Sequence, residues 1–269
     1  MASTLCSSAP LPARSRWRDV VMPKEHGSWS LALEPVALGL LIAPSVSGFW
    51  IAVSAFAGFL ARRPLKLAVR ERAGERRDAA RRALGVLGLV AVLALWAAVQ
   101  AGGHHWMLWL IPSAAAGAVF LWFDLNLKNG GREGPAEVAG ATAFAGVTAM
   151  IAAAGGWTAL AALGALFVMG ARAVPTVIFV RAYVRGAKTG VHRPAPAVIS
   201  AAAVTLAAIP LAAWRTIPPV TIVALALLFG RTAMYLVYPC PRLRPRTLGF
   251  QELALGCGYV ASLAVAWHR

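Results

Sequence analysis

Hydrophobic residues in this chain form long runs that have no polar face. Residues 83–100, "ALGVLGLVAVLALWAAVQ", and residues 198–214, "VISAAAVTLAAIPLAAW", contain no charged side chain. A helix on the surface of a soluble protein would show polar residues on its outer side, with a period of about 3.6. Apolar runs of about 20 residues instead match the roughly 30 Å hydrocarbon layer of a membrane. The pattern predicts helices that cross a bilayer.

Several of these runs are separated by short turn signals such as "APSVSG" and "WRTIPP". Helices are the expected spanning form, because lipid offers no partners for backbone N–H and C=O groups. We therefore predict an all-α fold, a polytopic membrane helix bundle with nine transmembrane helices. The predicted spans are 29–46, 47–61, 83–101, 105–123, 136–154, 157–171, 195–213, 217–237 and 249–267.

Composition supports the same class of protein. Of the 269 residues, 59% are hydrophobic and 13% are charged, and the mean hydropathy is +0.67. That charged fraction is about half of what soluble domains carry. The net charge of +16 could suggest nucleic acid, but nearly all of it lies in short stretches between apolar runs. Lysine and arginine there act as topology signals, so we predict the lipid bilayer as partner and no nucleic acid.

The distribution of basic residues predicts an orientation. With nine spans, 24 of the 26 Lys and Arg fall on one side, and only Arg215 and Arg269 fall on the other. Because basic residues accumulate in cytoplasmic loops, we expect a cytoplasmic N-terminus and an external C-terminus in the cell's inner or plasma membrane. The first twenty residues lack the basic-then-apolar order of a signal peptide, so we expect no cleavage. We predict a cytoplasmic tail, 1–22, followed by one transmembrane domain, 23–269.

Two pairs of basic stretches indicate an internal duplication. Both "FLARRPLKLAVRERAGERRDAARR" and "VMGARAVPTVIFVRAYVRGAKTGVHR" place Ala-Arg a few residues before a proline, after the second and the sixth span. The stretches after the fourth and eighth spans share Gly-x-x-Glu, which ends at Glu137 and at Glu252. We predict two four-helix units, about 47–154 and 157–267, related by an axis along the membrane normal.

Several separated motifs resemble one known family, from about residue 22 to the end of the chain. These motifs are "PKEHGSW" with "LEP", "ARRPLKLAVRER", Gly-x-x-Glu after the fourth span, and "ARAVPTVIFVRAYVR". They resemble the YwiC-like integral membrane proteins. The resemblance implies a polytopic membrane protein and brings no defined activity with it.

More distantly, nine helices with polar stretches after spans two and six are similar to the UbiA-type prenyltransferases. That likeness implies a central cavity under two Asp-rich motifs that bind Mg²⁺ and an isoprenyl diphosphate. No Asp-x-x-x-Asp occurs in this chain, whose only aspartates are Asp19, Asp78 and Asp124. We therefore predict no metal site, and leave the cofactor and the question of catalysis open.

Basic residues after spans two and six are candidates for ligand binding. Arginine forks match phosphate oxygens without a metal, so the two sets could converge over one cavity. The alternative is that they set topology and touch anionic lipid headgroups. The candidates are Arg62, Arg63, Lys66, Arg70, Arg172, Arg181 and Arg185.

Polar residues inside the first span form a second candidate group. If "PKEHGSWSLALEP" is helical up to Glu34, then His26, Ser30 and Glu34 are four residues apart and share one face. Pro35 could kink this helix, or begin a new one that Glu34 caps. Ionisable groups within a bilayer are functional candidates by default. We expect the group to face the cavity, and expect Glu137 and Glu252 to pair with arginines such as Arg231 and fix helix packing.

These observations support one functional hypothesis and two alternatives. The first is a cytoplasm-facing cavity that binds a phosphate- or diphosphate-bearing isoprenoid or phospholipid, as in a prenyltransferase-like transferase without the Asp-rich motifs. The alternatives are a transporter of a small anion or metabolite and a non-catalytic membrane scaffold. The external halves of the spans are nearly all apolar, with Gln100 and Thr158 among the few exceptions, which disfavours transport.

Overall fold

The computed structural model describes residues 18–22, 27–71, 73–102, 104–126, 134–190, 193–237 and 245–268. Within these residues the chain is helical and contains no strand. A short helical segment occupies residues 18–21, and a 3₁₀ turn, His104–Trp106, precedes the fourth long helix. The long helices are α1 (Gly27–Ile42), α2 (Val46–Arg70), α3 (Glu75–Gln100), α4 (Met107–Asn126), α5 (Gly134–Ala154), α6 (Ala159–Thr189), α7 (Ala195–Ala213), α8 (Val220–Val237) and α9 (Pro245–Trp267).

Each predicted span overlaps one of these helices, but not all of the helices are long and apolar enough to cross a bilayer. Among the described residues, seven are, namely α3 to α9. Helix α1 has only 16 residues, and α2 becomes strongly basic from Arg62 onward. The structure thus confirms a multi-pass helical membrane protein, whereas the count of nine crossings stays a prediction.

The two basic stretches that follow the second and sixth predicted spans, 62–82 and 172–193, are mostly helical where the structure describes them. Helix α2 continues to Arg70, α3 resumes at Glu75, and α6 runs unbroken to Thr189. Pro64 and Pro175 lie inside α2 and α6 without ending them. Gly190, with a left-handed φ of 72°, ends α6. The basic stretches after spans two and six are thus largely continuations of α2 and α6 and the start of α3.

Helices α5 and α6 form the centre of the bundle. In the 18-residue apolar stretch of α5, 61% of the residues are buried, and in that of α6 56% are buried. In the segment that contains α4 the buried share is 6%. Helix α5 packs against α1, α2, α4 and α6, and α9 closes onto α1. The outward side chains of the peripheral helices are large and apolar, as Ile111, Trp122 and Leu227 are, each at least 68% exposed. Such a surface is suited to lipid rather than water.

The two predicted four-helix units differ in their packing. Helix α4 packs closely against α5, whereas the corresponding α8 and α9 contact each other at few positions. Between α8 and α9 a groove of about 460 Å³ opens beside Val220 and Ala261. The structure does not confirm the internal duplication, which stays a prediction.

The last residues of the predicted N-terminal tail pack against the bundle. Val20 and Val21 are buried with Ala80 and Ala83 of α3. The Arg63 guanidinium donates a hydrogen bond to the backbone carbonyl of Met22. The segment 18–22 is thereby fastened to the basic ends of α2 and α3.

Candidate functional site

The site begins at the carboxylate of the first helix. Helix α1 continues through Pro35, so Ser30 and Glu34 lie one turn apart, and the Ser30 hydroxyl donates a hydrogen bond to Glu34. Glu34 is 9% exposed. The prediction that these two residues share a helix face is confirmed, and a helix start at Pro35 is excluded. His26, the third member of the predicted group, lies outside the described residues.

Four charged side chains from four helices form one chain, which we call the ion chain: Glu34, Arg172, Glu252 and Arg231. The Arg172 Nε lies 3.6 Å from a carboxylate oxygen of Glu34. On its other side, Arg172 Nη1 lies 3.4 Å from the Glu252 carboxylate, and Nη2 donates to the Glu252 backbone carbonyl at 2.9 Å. Arg231 forms an ion pair with the second carboxylate oxygen of Glu252.

The ion chain lies inside the bundle. Arg172 is 2% exposed, and the side chains of Glu252 and Arg231 are 9% exposed. Glu34 and Glu252 each come seven residues after the start of their helix, roughly 10 Å from that end at about 1.5 Å per residue. That end is the predicted cytoplasmic one. Four charges at this depth are costly unless they pair, and their alternating signs satisfy this condition.

Close packing of α9 holds the Glu34 end of the ion chain in place. A methyl group added at Gly256 would lie 1.8 Å from Glu34 Oε1, so only glycine leaves space for the carboxylate there. Three residues on, the Tyr259 hydroxyl donates to the Val168 carbonyl of α6 at 2.9 Å. From α5, the Thr148 hydroxyl donates to the Pro35 carbonyl at 2.9 Å. Helices α5 and α9 thus fix the position of α1 around Glu34, and Tyr259 joins α9 to α6.

Both arginines of the ion chain border a small cleft between α6, α7 and α8, which we call the charged cleft. Its polar wall consists of Arg172, Thr176, Arg231 and Thr232, and its apolar wall includes Ala201 and Leu228. The Nε atoms of Arg172 and Arg231 are buried without a hydrogen-bond partner, since 3.6 Å is too long for one. The Arg231 guanidinium also lies 4.3 Å from the Phe179 ring centre. The cleft encloses about 10 Å³, the space of about one water molecule.

The basic residues of α2 belong to a separate cluster around Asp124. Arg62 donates to both carboxylate oxygens of Asp124 at 3.2 Å, and Lys66 approaches one of them at 3.2 Å. Arg70, one further turn along, donates to the backbone carbonyls of Asp124 and Leu125 at the end of α4. The structure therefore does not bring Arg62, Lys66 and Arg70 together with Arg172.

Asp124 is the residue that sequence reasoning missed. It is 1% exposed and is the acceptor for two cations of α2. The sequence did indicate a buried acid here, because a lone aspartate, Asp124, ends the apolar run of α4 in "FLWFDLN". Ionisable residues at such positions are expected to have a buried partner.

The remaining candidate residues lie nearer the surface. Arg181 forms an ion pair with Glu137 at 3.1 Å, with both side chains 31% exposed, and Arg185 is exposed. The packing role expected for Glu137 and Glu252 agrees with their arginine partners. Among the described residues, no group of three His, Cys, Asp or Glu could hold a metal ion.

A bundle of long apolar helices with a buried, alternating ion chain defines the class: a multi-pass helical membrane protein with a charged centre. Residues 22–152, just under half of the chain, match the model of the YwiC-like protein family, so this part of the chain is similar to that family. The resemblance seen in the sequence is thereby confirmed over these residues. No curated protein and no solved structure matches this chain. The more distant likeness to UbiA-type prenyltransferases gains no support and stays a prediction.

Proposed function

We propose that this membrane protein binds the phosphate-bearing headgroup of a lipid or an isoprenoid at the charged cleft. The observation that carries the proposal is that two guanidinium groups and two hydroxyls, Arg172, Arg231, Thr176 and Thr232, border one cleft whose other walls are apolar. Guanidinium N–H groups fit phosphate oxygens in a forked geometry, and an apolar wall suits a hydrocarbon tail.

Unused hydrogen-bonding capacity in the cleft supports an anionic ligand. The Nε–H groups of Arg172 and Arg231 have no hydrogen-bond partner, and each such buried donor costs about 1–3 kcal/mol. The Nε–H of Arg172 faces Glu34 at 3.6 Å, so the Nε–H of Arg231 is the donor that an oxyanion in the cleft would use. Arg231 is already stacked on Phe179 and held by Glu252, so its fork is oriented before any ligand arrives.

The size of the cleft sets a condition on binding. Because it holds about one water molecule, a phosphate group enters only when α7 moves away from α6 and α8. Helix α7 contributes mainly small residues, and only 17% of its most apolar stretch is buried. Displacing this peripheral helix leaves Arg231 on Phe179 and exposes little polar surface, so lateral entry from the bilayer is the expected route.

The test is native mass spectrometry of the detergent-purified protein, with phosphorus analysis of the lipids that remain bound. Arg231→Lys keeps the charge beside Glu252 and removes the planar fork, so it should lower the bound phospholipid by about tenfold or more. Arg185→Lys, at an exposed position on α6, is the matched control and should bind as the wild type does. Equal phospholipid binding by both variants would refute the proposal.

A free phosphate anion has the same chemistry as a headgroup, so the source of the anion needs its own experiment. Proteoliposomes loaded with buffer and supplied with labelled inorganic phosphate would accumulate label if the protein transports a small anion. No accumulation, together with bound phospholipid that Arg231→Lys removes, supports the lipid headgroup. Incubation with an isoprenyl diphosphate and a search for released diphosphate would detect transferase activity.

A further inference from the structure

We propose that anion binding at the charged cleft is coupled to the uptake of one proton by Glu34. This inference rests on the proposed function and adds the charge balance of the site to it. The ion chain contains two carboxylates and two guanidinium groups, so its formal charges cancel. An arriving phosphodiester brings one negative charge that nothing in the ion chain balances. In the bundle interior an unbalanced charge is strongly unfavourable, and one proton restores neutrality.

The two carboxylates of the ion chain are held unequally, which identifies the proton acceptor. Glu252 has an arginine on each oxygen, Arg172 at 3.4 Å and Arg231 on the other side. Glu34 has one arginine, at 3.6 Å, a distance too long for a hydrogen bond. Protonating Glu34 therefore removes its one ion pair, with Arg172, and leaves both ion pairs of Glu252 in place.

The Ser30 hydroxyl suits both protonation states of Glu34. A serine hydroxyl donates to an ionised carboxylate, as Ser30 does here, and accepts from a protonated one after rotating its hydrogen. Ser30 is half-buried and lies one turn nearer the start of α1, the predicted cytoplasmic end. It thus lies between the buried carboxylate and the expected source of the proton.

Among the residues that the structure describes, the other ionisable groups around Glu34 do not compete for this role. Helix α6 presents Arg172, and α9 presents Glu252 and the Tyr259 hydroxyl, which is engaged with the Val168 carbonyl. Helix α1 itself carries no second charged residue.

The remaining helices packed on α1 commit their ionisable groups elsewhere. Glu137 of α5 pairs with Arg181, and Arg62 of α2 pairs with Asp124. The proton is therefore assigned to Glu34, and its uptake frees the charge of Arg172 for the anion.

The experiment measures binding and proton uptake together on the full-length protein in detergent. The probes are phosphatidylglycerol in mixed micelles and water-soluble dimethyl phosphate, because each carries one fixed negative charge across about pH 5 to 8. At pH values where Glu34 is ionised in the free protein, the affinity for the anionic probe should fall about tenfold for each unit by which the pH rises. Calorimetry in buffers of different ionisation enthalpy should give about one proton taken up per anion bound.

Two variants separate the coupling from general effects on the fold. Glu34→Gln imitates the protonated carboxyl, so it should bind the probe with an affinity that no longer depends on pH and without proton uptake. Glu137→Gln, whose carboxylate lies outside the ion chain, should keep the wild-type slope. If Glu34→Gln does not fold, the number of protons that the wild-type protein takes up per anion tests the coupling alone: about one supports it and none overturns it.

The outcomes distinguish this inference from the proposed function. Probe binding without proton uptake overturns the coupling and leaves the anion site standing. Absence of binding by either probe at every pH overturns both. Binding of dimethyl phosphate but not of phosphatidylglycerol, with one proton taken up, supports the coupling and identifies a free anion as the ligand.

Discussion

The most direct test of the site geometry is the substitution Gly256→Ala. The added methyl group would lie 1.8 Å from Glu34 Oε1 and 2.4 Å from its carboxyl carbon. Such distances are impossible, so either Glu34 leaves its position beside Arg172 or α9 moves away from α1. Inserting a methyl group into a packed interior costs about 1–3 kcal/mol. The better helix propensity of alanine returns roughly 1 kcal/mol at most.

Gly258→Ala provides a matched control two residues along the same helix. A methyl group at Gly258 meets no atom within 4 Å, so the change should be neutral or slightly stabilising. Unfolding of both variants in one detergent, followed by circular dichroism, gives the comparison. Gly256→Ala should lower Tm by about 2–10 °C relative to Gly258→Ala.

A double-mutant cycle with Glu34→Ala assigns the effect to the carboxylate. In the Glu34→Ala background the atoms that the added methyl group would meet are gone, so the cost of Gly256→Ala should nearly vanish. The position of the Glu34 carboxylate against α9 is incorrect if the stability losses of the two substitutions simply add. It is also incorrect if Gly256→Ala has as little effect as Gly258→Ala.

Three further predictions follow from contacts elsewhere in the bundle. Asp124→Asn leaves Arg62 and Lys66 without a carboxylate and should destabilise by about 1–2 kcal/mol in the same unfolding assay, and a neutral result would mean that this cluster contributes nothing. Ala201→Leu fills the charged cleft and should remove bound phospholipid in native mass spectrometry, while Ala203→Leu, exposed on α7, should not. Thr148→Val removes the hydrogen bond to the Pro35 carbonyl and should cost about 1 kcal/mol, and an unchanged Tm would contradict it.

Much of the fold could be predicted because lipid imposes a simple rule on sequence. Runs such as 83–100 and 198–214 are apolar on all sides, and both are helical in the structure, the second up to Ala213. The ends of α2 and α6 could not be predicted in this way, because hydropathy falls at Arg62 and Arg172 while the helix continues. Hydropathy falls wherever charges occur, even where a charge such as Arg172 is buried among helices, whereas backbone hydrogen bonding continues past it. The basic stretches are therefore largely helical where the structure describes them.

The candidate site was predictable residue by residue but not as an arrangement. Spacing within one helix was enough to pair Ser30 with Glu34, because residues four apart lie on the same helix face. The partner of each arginine depends on which helices are neighbours, and that is decided by close packing at positions such as Gly256. Arg62 and Arg172 look equivalent in sequence, yet one binds Asp124 and the other binds Glu34 and Glu252.

The ion chain itself argues for function rather than stability. A buried pair replaced by apolar residues of similar volume usually leaves stability unchanged or improved, so holding helices together does not require four buried charges. Apolar contacts already join these helices, as at Leu38, Met169 and Leu263. What apolar residues cannot provide is guanidinium groups that border a cleft, or the proton uptake that we infer for Glu34. In the ion chain Glu34 is the terminal carboxylate with one arginine and Glu252 is the inner one with two, and this difference is what assigns the inferred proton to Glu34.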